Sequence, residues 1–340
     1  MIRPAIIFSL LFPFITYSQV IPPERQVNWS DALKSYEYNV PVNEVNVMDF
    51  GATGNGVDND RPAVLSAIAS LNGNLGYVYF PPGNYLLTGT LSLPDSIILK
   101  GNSSETSVLK FNFSGSASNC ITMSGSATSV FIRIDNGYIK GSSWITTDSA
   151  FLFNAGDYAE IVQDNGSWND KPADWALNSV GQIVRIENRH DDTLFLQSPL
   201  RITYDSQLIP RIRKFNPCSN TGVECLKIQR IDQATSGANI IMTLAANCIV
   251  RGIESDKSVS AHVDIVQSTR ILIEGNYFHH AFQYDGASKH GYGVTLNAHA
   301  GECLITNNIF RYLRHAMMAK TGANGNVFRT IIPGRSTVLS

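Results

Sequence analysis

The feature that most constrains the fold of this chain is an internal repeat. Residues 271–278 align without a gap with residues 303–310, and each copy reads as a short apolar strand, a polar bend at an asparagine and a second strand. Residues 324–328 repeat the second half, and 131–139 and 248–253 are weaker copies. One such unit cannot bury its own apolar face, but units stacked about 4.8 Å apart form a continuous core. The repeat therefore predicts a coil of short, stacked parallel strands.

The intervals between the copies vary, since Asn308 follows Asn276 by 32 residues and Asn326 follows Asn308 by 18. This variation argues against a rigid array such as leucine-rich repeats and favours coils whose turns accept insertions. Asparagine suits the bend because it tolerates the left-handed backbone conformation and its amide can hydrogen-bond to the next coil. A β-sandwich with Asn-rich turns is the alternative. The coil places inside the side chains of Ile273, Phe278, Ile305, Phe310 and Phe328.

The N-terminal module narrows the choice of fold. Residues 47–60 read as a strand followed by a glycine-punctuated loop, and Asp60 is placed to cap a helix over about 61–71. Residues 76–85 and 96–101 read as the first β-coils.

This module resembles the N-terminal cap of the pectate-lyase-like family, which includes rhamnogalacturonase- and epimerase-like proteins. The family pattern is Asp-Phe-Gly-Ala, Gly-Asp-Gly, Asp-Asp-Thr and Pro-x-Gly-x-Tyr, of which the first and last occur here at 49–52 and 81–85. Asn55 replaces the middle Asp of the glycine loop, and Asn59-Asp60-Arg61 replaces Asp-Asp-Thr. The resemblance is specific over 45–110. It implies an all-β fold, a right-handed parallel β-helix with an N-terminal cap helix, and a polysaccharide as the molecule it handles.

The same patterns divide the chain. We expect a signal peptide at 1–18, a lead-in at 19–44, the cap and first coils at 45–139, and a small inserted β-rich subdomain at 140–217. Coils that carry the candidate site follow at 218–328, and 329–340 shows no further coil, as in a truncated chain. Because no later apolar run is long enough to span a bilayer, the predicted location is secreted, extracellular or periplasmic.

Composition excludes some classes of protein. Only 16% of residues are charged and the net charge is -2, which argues against general nucleic-acid binding and suits short strands joined by polar turns. The five cysteines leave one unpaired even if two disulfides form. Cys225, Cys248 and Cys303 each lead an apolar strand, so we expect a buried, reduced column rather than a disulfide framework or a metal site.

The candidate site lies between residues 262 and 320, where six of the seven histidines fall. Aligned strand starts predict that His262 and His315 flank Gly293 in one outward column. A second column follows the repeated Phe and contains His279, Arg311 and Arg329, whose positive charges suit an acidic polymer. His279 and His280 should point to opposite faces of a strand. The candidate catalytic residues are His262, Asp264, His280, Tyr284, Asp285, His290, His315 and Lys320, and the candidate substrate-binding residues are His279, Tyr292, Thr295, Arg311 and Arg329.

Three classes of function remain open. A polysaccharide lyase needs a base to remove the proton beside a uronate carboxylate and a cation to neutralise that carboxylate. A glycoside hydrolase needs two carboxylates, and a glycan-binding adhesin needs neither. Because basic and phenolic groups outnumber carboxylates in the candidate region, the sequence favours β-elimination, then hydrolysis, then binding alone.

No cofactor is firmly implied by the sequence. One or two aspartates could hold calcium together with substrate oxygens, whereas zinc lacks a close His-x-His or Cys-x-x-Cys pair. The expected partner is a polysaccharide, with no nucleic acid and no membrane insertion after signal cleavage. The oligomeric state is left open.

Overall fold

The computed structural model describes residue 32 and residues 40–167, 169, 176–284 and 290–329. Within them the chain winds through three parallel sheets, here named A, B and C, and passes from A to B to C in each coil after the first. Apolar residues that alternate along the strands point inward from all three sheets and form one continuous core. Among the described residues, no helix combines the length and apolar character needed to cross a membrane.

The strands of the three sheets are short. Sheet A contains Asn43–Asn46, Gly76–Phe80, Ile97–Gly101, Gly222–Glu224, Ile249–Arg251, Leu272–Glu274, Leu304–Thr306 and Val327–Arg329. Sheet B contains Asn55–Asn59, Gly83–Leu87, Ser107–Phe111, Lys227–Arg230, Glu254–Ser258, Tyr277–Ala281 and Ile309–Arg311. Sheet C contains Leu91–Leu93, Ile121–Ser124, Ile240–Thr243, Ala261–Val266, Tyr292–Asn297 and His315–Ala319. A further parallel pair, Cys218–Ser219 with Ala245–Ala246, lies at the turn from sheet C back to sheet A.

The repeat alignment is confirmed for its two best copies. Ile273 pairs with Ile305 in sheet A, and Phe278 pairs with Phe310 in sheet B. Ile273, Ile305 and Phe278 are buried, and Phe310 packs partly buried against the core. Phe328 is the exception, because it pairs with Ile305 in the last described strand of sheet A and is 39% exposed. The prediction that its side chain lies inside is therefore wrong.

Two of the shorter copies occupy other places than the repeat predicts. Residues 324–328 continue into the strand Val327–Arg329, which belongs to sheet A and does not repeat the sheet B strand Ile309–Arg311. Residues 131–139 lie in the inserted sheet, where Ile132–Arg133 runs antiparallel to its neighbour. The copy at 248–253 does form a coil, with Ile249–Arg251 in sheet A.

The bend between sheets A and B uses two adjacent positions. Gly275 and Asn307 take the left-handed conformation, with φ of 66° and 55°. The next residues, Asn276 and Asn308, are buried, and the Asn276 Nδ2 donates to Asn308 Oδ1 at 2.9 Å and to the Val250 carbonyl at 3.0 Å. The repeated asparagines thus satisfy buried backbone groups of neighbouring coils, while the preceding residue makes the corner.

The N-terminal cap contains a 3₁₀ turn, Val47–Phe50, and one α-helix, Arg61–Ser70, with Pro62 in its first turn. Val64, Ala67 and Ile68 pack from this helix onto the core. Asp60 does not cap the helix, because its carboxylate instead accepts the backbone N–H groups of the glycine loop, at 2.6 Å from Thr53. The predicted helix is confirmed, and its predicted side-chain cap is wrong.

All five cysteines are unpaired. Cys248 and Cys303 are buried and precede strands of sheet A that lie two strands apart, so they share one column. Cys225 lies elsewhere, at a left-handed corner with φ of 52°, and is partly exposed. The reduced column is therefore correct for two of the three predicted members, since the corner after sheet A is a different position from the one before it.

An antiparallel sheet is inserted between the sheet C strand Ile121–Ser124 and the sheet A strand Gly222–Glu224. It has its own apolar core and the 3₁₀ turns Ala150–Leu152 and Ser206–Leu208. Its strands begin at Ser126, earlier than the expected boundary of 140. Those strands are Ser126–Ala127, Ile132–Arg133, Trp144–Thr146, Tyr158–Gln163, Val180–His190, Thr193–Leu196 and Arg211–Asn216.

Two buried ionic contacts join the inserted sheet to the coil turns that follow sheet C. In the first, Arg201 donates to Glu302 at 2.7 Å, and Arg270 also contacts that carboxylate at 3.2 Å. The second is centred on Glu160, whose Oε1 accepts from His299 at 2.9 Å and from Gln267 at 2.7 Å. The side chain of Arg213 contacts the other carboxylate oxygen at 2.6 Å.

Candidate functional site

The outer face of sheet B carries a row of charged and polar side chains. Strand alternation turns Ile228, Ser255 and Phe278 inward, so their neighbours on each strand point out. One outward row in register is Gln229, Asp256, His279 and Arg311, and a second is Lys227, Glu254 and Tyr277. We call the residues of these two rows, together with His280 and Tyr312 at the ends of their strands, the sheet B cluster.

Glu254 and His279 form the centre of the cluster. His279 Nε2 lies 2.9 Å from Glu254 Oε1, and Lys227 Nζ lies 2.7 Å from the same oxygen. Burial would raise the pKa of Glu254, but the hydrogen bonds and charges of Lys227 and His279 outweigh burial and hold its pKa below the usual value. The ionised carboxylate accepts from His279 Nε2–H and fixes the orientation of the ring, which also stacks on Tyr277 at 4.2 Å between centroids.

His280 faces the same side as His279, against the expectation for adjacent strand residues. Its backbone is left-handed, with φ of 56°, so the regular alternation stops at this residue. The two Nδ1 atoms are 2.7 Å apart. Asp256 Oδ1 lies 3.4 Å from the Nδ1 of His279 and 3.7 Å from that of His280. The prediction of opposite faces is wrong because the strand ends in a tight corner.

The exposed side of the cluster contains an imidazole, a phenol and a guanidinium. The His280 side chain is 48% exposed and stacks on the ring of Tyr312 at 4.8 Å. Arg311 Nη2 lies 3.3 Å from the Tyr312 hydroxyl, and its guanidinium lies over that ring at 5.2 Å. Three groups that can exchange protons or neutralise an anion are therefore presented together.

His262 is not part of an exposed column. Its side chain is fully buried; Nδ1 lies 2.7 Å from Ser255 Oγ, and Nε2 lies 3.0 Å from the backbone carbonyl of His280. The carbonyl can only accept, so Nε2 carries the proton and Nδ1 accepts from the serine. Desolvation lowers the pKa of His262 to about 3. The predicted solvent-facing position is wrong, and a group without exposure cannot contact a polymer.

In the predicted column of His262, Gly293 and His315, the first two residues are in register and His315 is shifted by one residue. His315 pairs with Tyr292, whose neighbour on the other side is Ala261. Gly293 is buried, and a Cβ placed there would lie 2.2 Å from the Ala316 carbonyl oxygen, so it opens no groove.

Sheet C places the remaining candidates in two groups. Tyr292 stacks on His315 at 5.4 Å between ring centroids and meets His290 edge to face at 5.6 Å. Asp264 and Thr295 pair on the outer face, where the threonine hydroxyl donates to the aspartate at 2.5 Å.

Four predicted residues lie away from the sheet B cluster or beyond the described chain. Lys320 follows the last strand of sheet C, and Tyr284 is 48% exposed in the turn after sheet B. Arg329 pairs with Thr306 in sheet A, so its predicted place in the column of His279 and Arg311 is wrong. Asp285 lies outside the described residues.

A groove of about 540 Å³ opens beside the turns that follow sheet B. Its walls include Thr235, Val259, Phe282 and His290. Phe282 follows His280 by two residues, so the groove begins where the exposed end of the cluster stops. Of the predicted site residues, the cluster contains His279, His280 and Arg311, and the groove adds His290.

Six cluster members lie outside the predicted site: Lys227, Gln229, Glu254, Asp256, Tyr277 and Tyr312. A signal for two of them exists in the sequence, because Glu254-Ser255-Asp256 alternates in the same way as Tyr277-Phe278-His279. Extending the alignment by one coil would have placed both carboxylates beside the histidines. Tyr312 carries no comparable signal, since it lies in a turn.

Comparison with known proteins agrees with this architecture. Residues 44–207 match the family model for rhamnogalacturonase A/epimerase, pectate lyase-like proteins. The tailspike gp61 of Pseudomonas phage phi297 has the same fold, with a TM-score of 0.63 and 14% identity over 82% of this chain and 49% of the tailspike. The chain is a right-handed parallel β-helix protein, and its residues 44–207 match the pectate-lyase-like family.

A curated relative of this β-helix protein is mannuronan C5-epimerase AlgE6 of Azotobacter vinelandii. The two are 40% identical over 75 residues, which are 20% of this chain and 9% of the epimerase. The chain thus spans about half of the tailspike and less than a tenth of the epimerase. The predicted family resemblance and fold class are both confirmed.

Proposed function

We propose that this pectate-lyase-like β-helix is a secreted enzyme that acts on a uronate-containing polysaccharide by β-elimination. One observation carries the proposal: the exposed imidazole of His280 is backed by His279 and Glu254 and lies beside the Arg311–Tyr312 pair. The related proteins are consistent with a carbohydrate-acting protein, since one is named as a mannuronan epimerase.

The base of the reaction is His280. Because Glu254 accepts from His279 Nε2–H, the Nδ1 of His279 is free to accept from His280 Nδ1–H. The Nε2 lone pair of His280 is then available to solvent and substrate. When it takes the proton beside the uronate carboxylate, the resulting imidazolium is stabilised by His279 and by Asp256, 3.7 Å away.

Arg311 and Tyr312 supply the other two requirements. As the proton leaves, negative charge moves onto the carboxylate, and the guanidinium of Arg311 neutralises it. The carbon–oxygen bond to the leaving sugar then breaks and a carbon–carbon double bond forms. The Tyr312 hydroxyl, within reach of the stacked His280 ring, donates a proton to the departing oxygen.

Hydrolysis is less well supported by the same cluster. A hydrolase needs one carboxyl group to donate a proton and a second to act as nucleophile or base. Glu254 is engaged by Lys227 and His279, and Asp256 accepts from Gln229 at 2.9 Å. Neither is presented to solvent as a free carboxyl group.

The experiment is incubation of the chelator-treated protein with a panel of uronate-containing and neutral polysaccharides. A lyase produces unsaturated ends that absorb in the ultraviolet. His280→Asn keeps a residue that tolerates the left-handed backbone, and we expect a 10²-fold to 10⁴-fold lower rate with a nearly unchanged melting temperature. His190→Asn, on an exposed hairpin of the inserted sheet, is the control and should retain full activity.

Other outcomes lead to different conclusions. New reducing ends without ultraviolet absorbance would mean that the protein cleaves the polysaccharide by hydrolysis and not by elimination. Glycan binding without cleavage would favour an adhesin. Full turnover by the His280 variant would show that the sheet B cluster does not catalyse the reaction.

A further inference from the structure

We infer that Asp256, His279 and His280 form a binding site for one divalent late transition-metal ion of the zinc type. The three potential ligand atoms are His279 Nδ1, His280 Nδ1 and Asp256 Oδ1, and they lie within 4.8 Å of one another. This site does not depend on the proposed elimination, because it rests on ligand geometry alone.

The spacing of the ligand atoms is close to that of a metal centre. In a tetrahedral zinc site with bonds of about 2.0 Å, neighbouring ligand atoms lie roughly 3.3 Å apart. The aspartate oxygen is 3.4 Å and 3.7 Å from the two nitrogens, and the nitrogens are 2.7 Å apart. The rings therefore need to separate by only a few tenths of an ångström, and His280 has room to do so because it is half exposed.

Two of the ligands are already held by a second partner in the manner of metal ligands. His279 donates its other ring N–H to Glu254, and Asp256 accepts on its other oxygen from Gln229. Carboxylate partners behind a histidine ligand fix its tautomer and raise its basicity. Both ligands are mostly buried, whereas His280 is exposed, so an ion would approach from one side and keep an open position.

The ligand set favours zinc-like ions over calcium. Two imidazole nitrogens and one carboxylate suit Zn²⁺, Co²⁺ or Fe²⁺, whereas calcium takes six to eight oxygen ligands. Lys227 and Arg311 add positive charge near the site, and Glu254 offsets the lysine through a 2.7 Å contact. Among the three ligands, the carboxylate of Asp256 provides the negative charge that contacts the dication.

Metal binding changes the protonation of His280. In the metal-free cluster one proton lies between the two Nδ1 atoms, and an ion replaces it. The proton moves to Nε2 of His280, so the ring stays neutral and no proton is released. The nitrogen proposed to act as base is then protonated, and the metal-bound form is inactive in elimination. For this reason the lyase assay above uses chelator-treated protein.

The test is titration of chelator-treated protein with Co²⁺, followed by displacement with Zn²⁺. We expect one equivalent of Co²⁺ to give visible absorption bands of a low-coordinate site, and one equivalent of Zn²⁺ to abolish them. Loss of a partner behind a ligand typically costs 10-fold to 100-fold in affinity, so loss of a ligand in Asp256→Asn or His280→Asn should cost at least about 10-fold. Asp256→Asn is nearly isosteric and protects the test from a folding failure.

The control is His190→Asn, which removes an exposed histidine far along the chain and should leave the titration unchanged. The site is refuted if Co²⁺ gives no bands up to millimolar concentration, or if the Asp256 and His280 variants bind as tightly as the parent protein. These results are independent of glycan cleavage, so a failed lyase assay and a failed metal site remain distinguishable.

Discussion

His262 is held neutral because both ring nitrogens have partners that suit the uncharged imidazole. Its ring also packs against Phe278 at 5.7 Å, in an environment that water does not reach. The groups facing it include the charged or titratable side chains of Asp256, His279 and His280. Its role is to join the sheet B strand to the corner that carries His280.

The pH dependence of stability follows from the pKa of His262. Its pKa is about 3 in the folded state and about 6.5 unfolded, so below pH 6.5 the unfolded chain binds a proton that the folded protein rejects. The stability that His262 supplies is complete above pH 6.5 and decreases as pH falls toward 3. We expect a loss of about 2 kcal/mol between pH 7.5 and pH 5, using about 1.4 kcal/mol per pH unit.

His262→Gln removes this titration and keeps polar contact with the surrounding groups. Urea unfolding at pH 7.5 and pH 5 should therefore show the stability difference between parent and variant narrowing as pH falls. A difference that is the same at both pH values would mean that His262 is not buried and neutral.

The sequence predicts which face of a sheet a side chain occupies where the strand is regular, and it fails where a strand ends in a corner or where a turn changes length. Alternation predicts that Asp264 and Thr295 face solvent; both lie on the outer face of sheet C in the middle of regular strands, but Thr295 is buried at 2% exposure, so the prediction of exposure is wrong for it. His280 and His315 were misplaced for a physical reason. The turn from sheet B to sheet C has a different length in these two coils, so gap placement decides the register, and a left-handed corner residue reverses the expected face.

At the scale of the elements, the buried asparagines stabilise the corner between sheets A and B and connect it by hydrogen bonds to the same corner of the neighbouring coils. Asn276 accepts the Ile253 backbone N–H at 3.0 Å and donates to Val250 and Asn308. Asn308 in turn donates to the Ile273 carbonyl at 2.9 Å. Each coil therefore satisfies polar groups that the coil before it leaves open.

Asn276→Ala should destabilise the protein by about 2–6 kcal/mol. The change leaves the Ile253 N–H and the Val250 carbonyl buried without their side-chain partner, and each unsatisfied group costs about 1–3 kcal/mol. The measurement is equilibrium denaturant unfolding. Asn220→Gly, at the left-handed corner before the sheet A strand Gly222–Glu224, is the control, and we expect a change within about 0.5 kcal/mol since glycine adopts that conformation readily. Equal effects of the two variants would contradict a stabilising role for the asparagine hydrogen bonds between coils.

The two best repeats could be aligned from the sequence because they contain the whole unit, strand, corner and strand. The fragment ending at Phe328 could not, because the pattern Asn-x-Phe also occurs at the corner before sheet A, where Asn326 Oδ1 accepts from the Cys303 N–H at 3.0 Å. Short copies therefore identify a corner without identifying which of the corners it is.

At the scale of the whole molecule, the inserted sheet is fastened to the coil by buried charges. Burial would raise the pKa of Glu160, but hydrogen bonds from His299 and Gln267 and the charge of Arg213 outweigh burial and lower it. The carboxylate is thus ionised at neutral pH, and its contribution to stability is lost as pH falls through its folded pKa.

Glu160→Gln should destabilise the protein by about 3–5 kcal/mol, because it leaves Arg213 beside a partner that carries no charge in a buried setting. It should also increase proteolytic cleavage within 126–216, measured by limited proteolysis and mass spectrometry. Glu187→Gln, an exposed change on the strand Val180–His190, provides the control. Unchanged cleavage in the Glu160 variant would show that contacts other than those of Glu160 hold the inserted sheet on the coil.

The inserted sheet leaves and rejoins the coil at one point. Ser126 pairs with Asn216 and Ala127 with Phe215, so its two ends run side by side. The coils on either side stack directly on each other, Ile240 on Ile121 and Gly222 on Ile98. The entropy of closing a loop grows only with the logarithm of its length, so a segment with adjacent ends can be long at little thermodynamic cost. The position between the strands Ile121–Ser124 and Gly222–Glu224 can therefore accept insertions of different length. We expect that another module or a short hairpin could replace the inserted sheet there while the coils on either side keep their stacking.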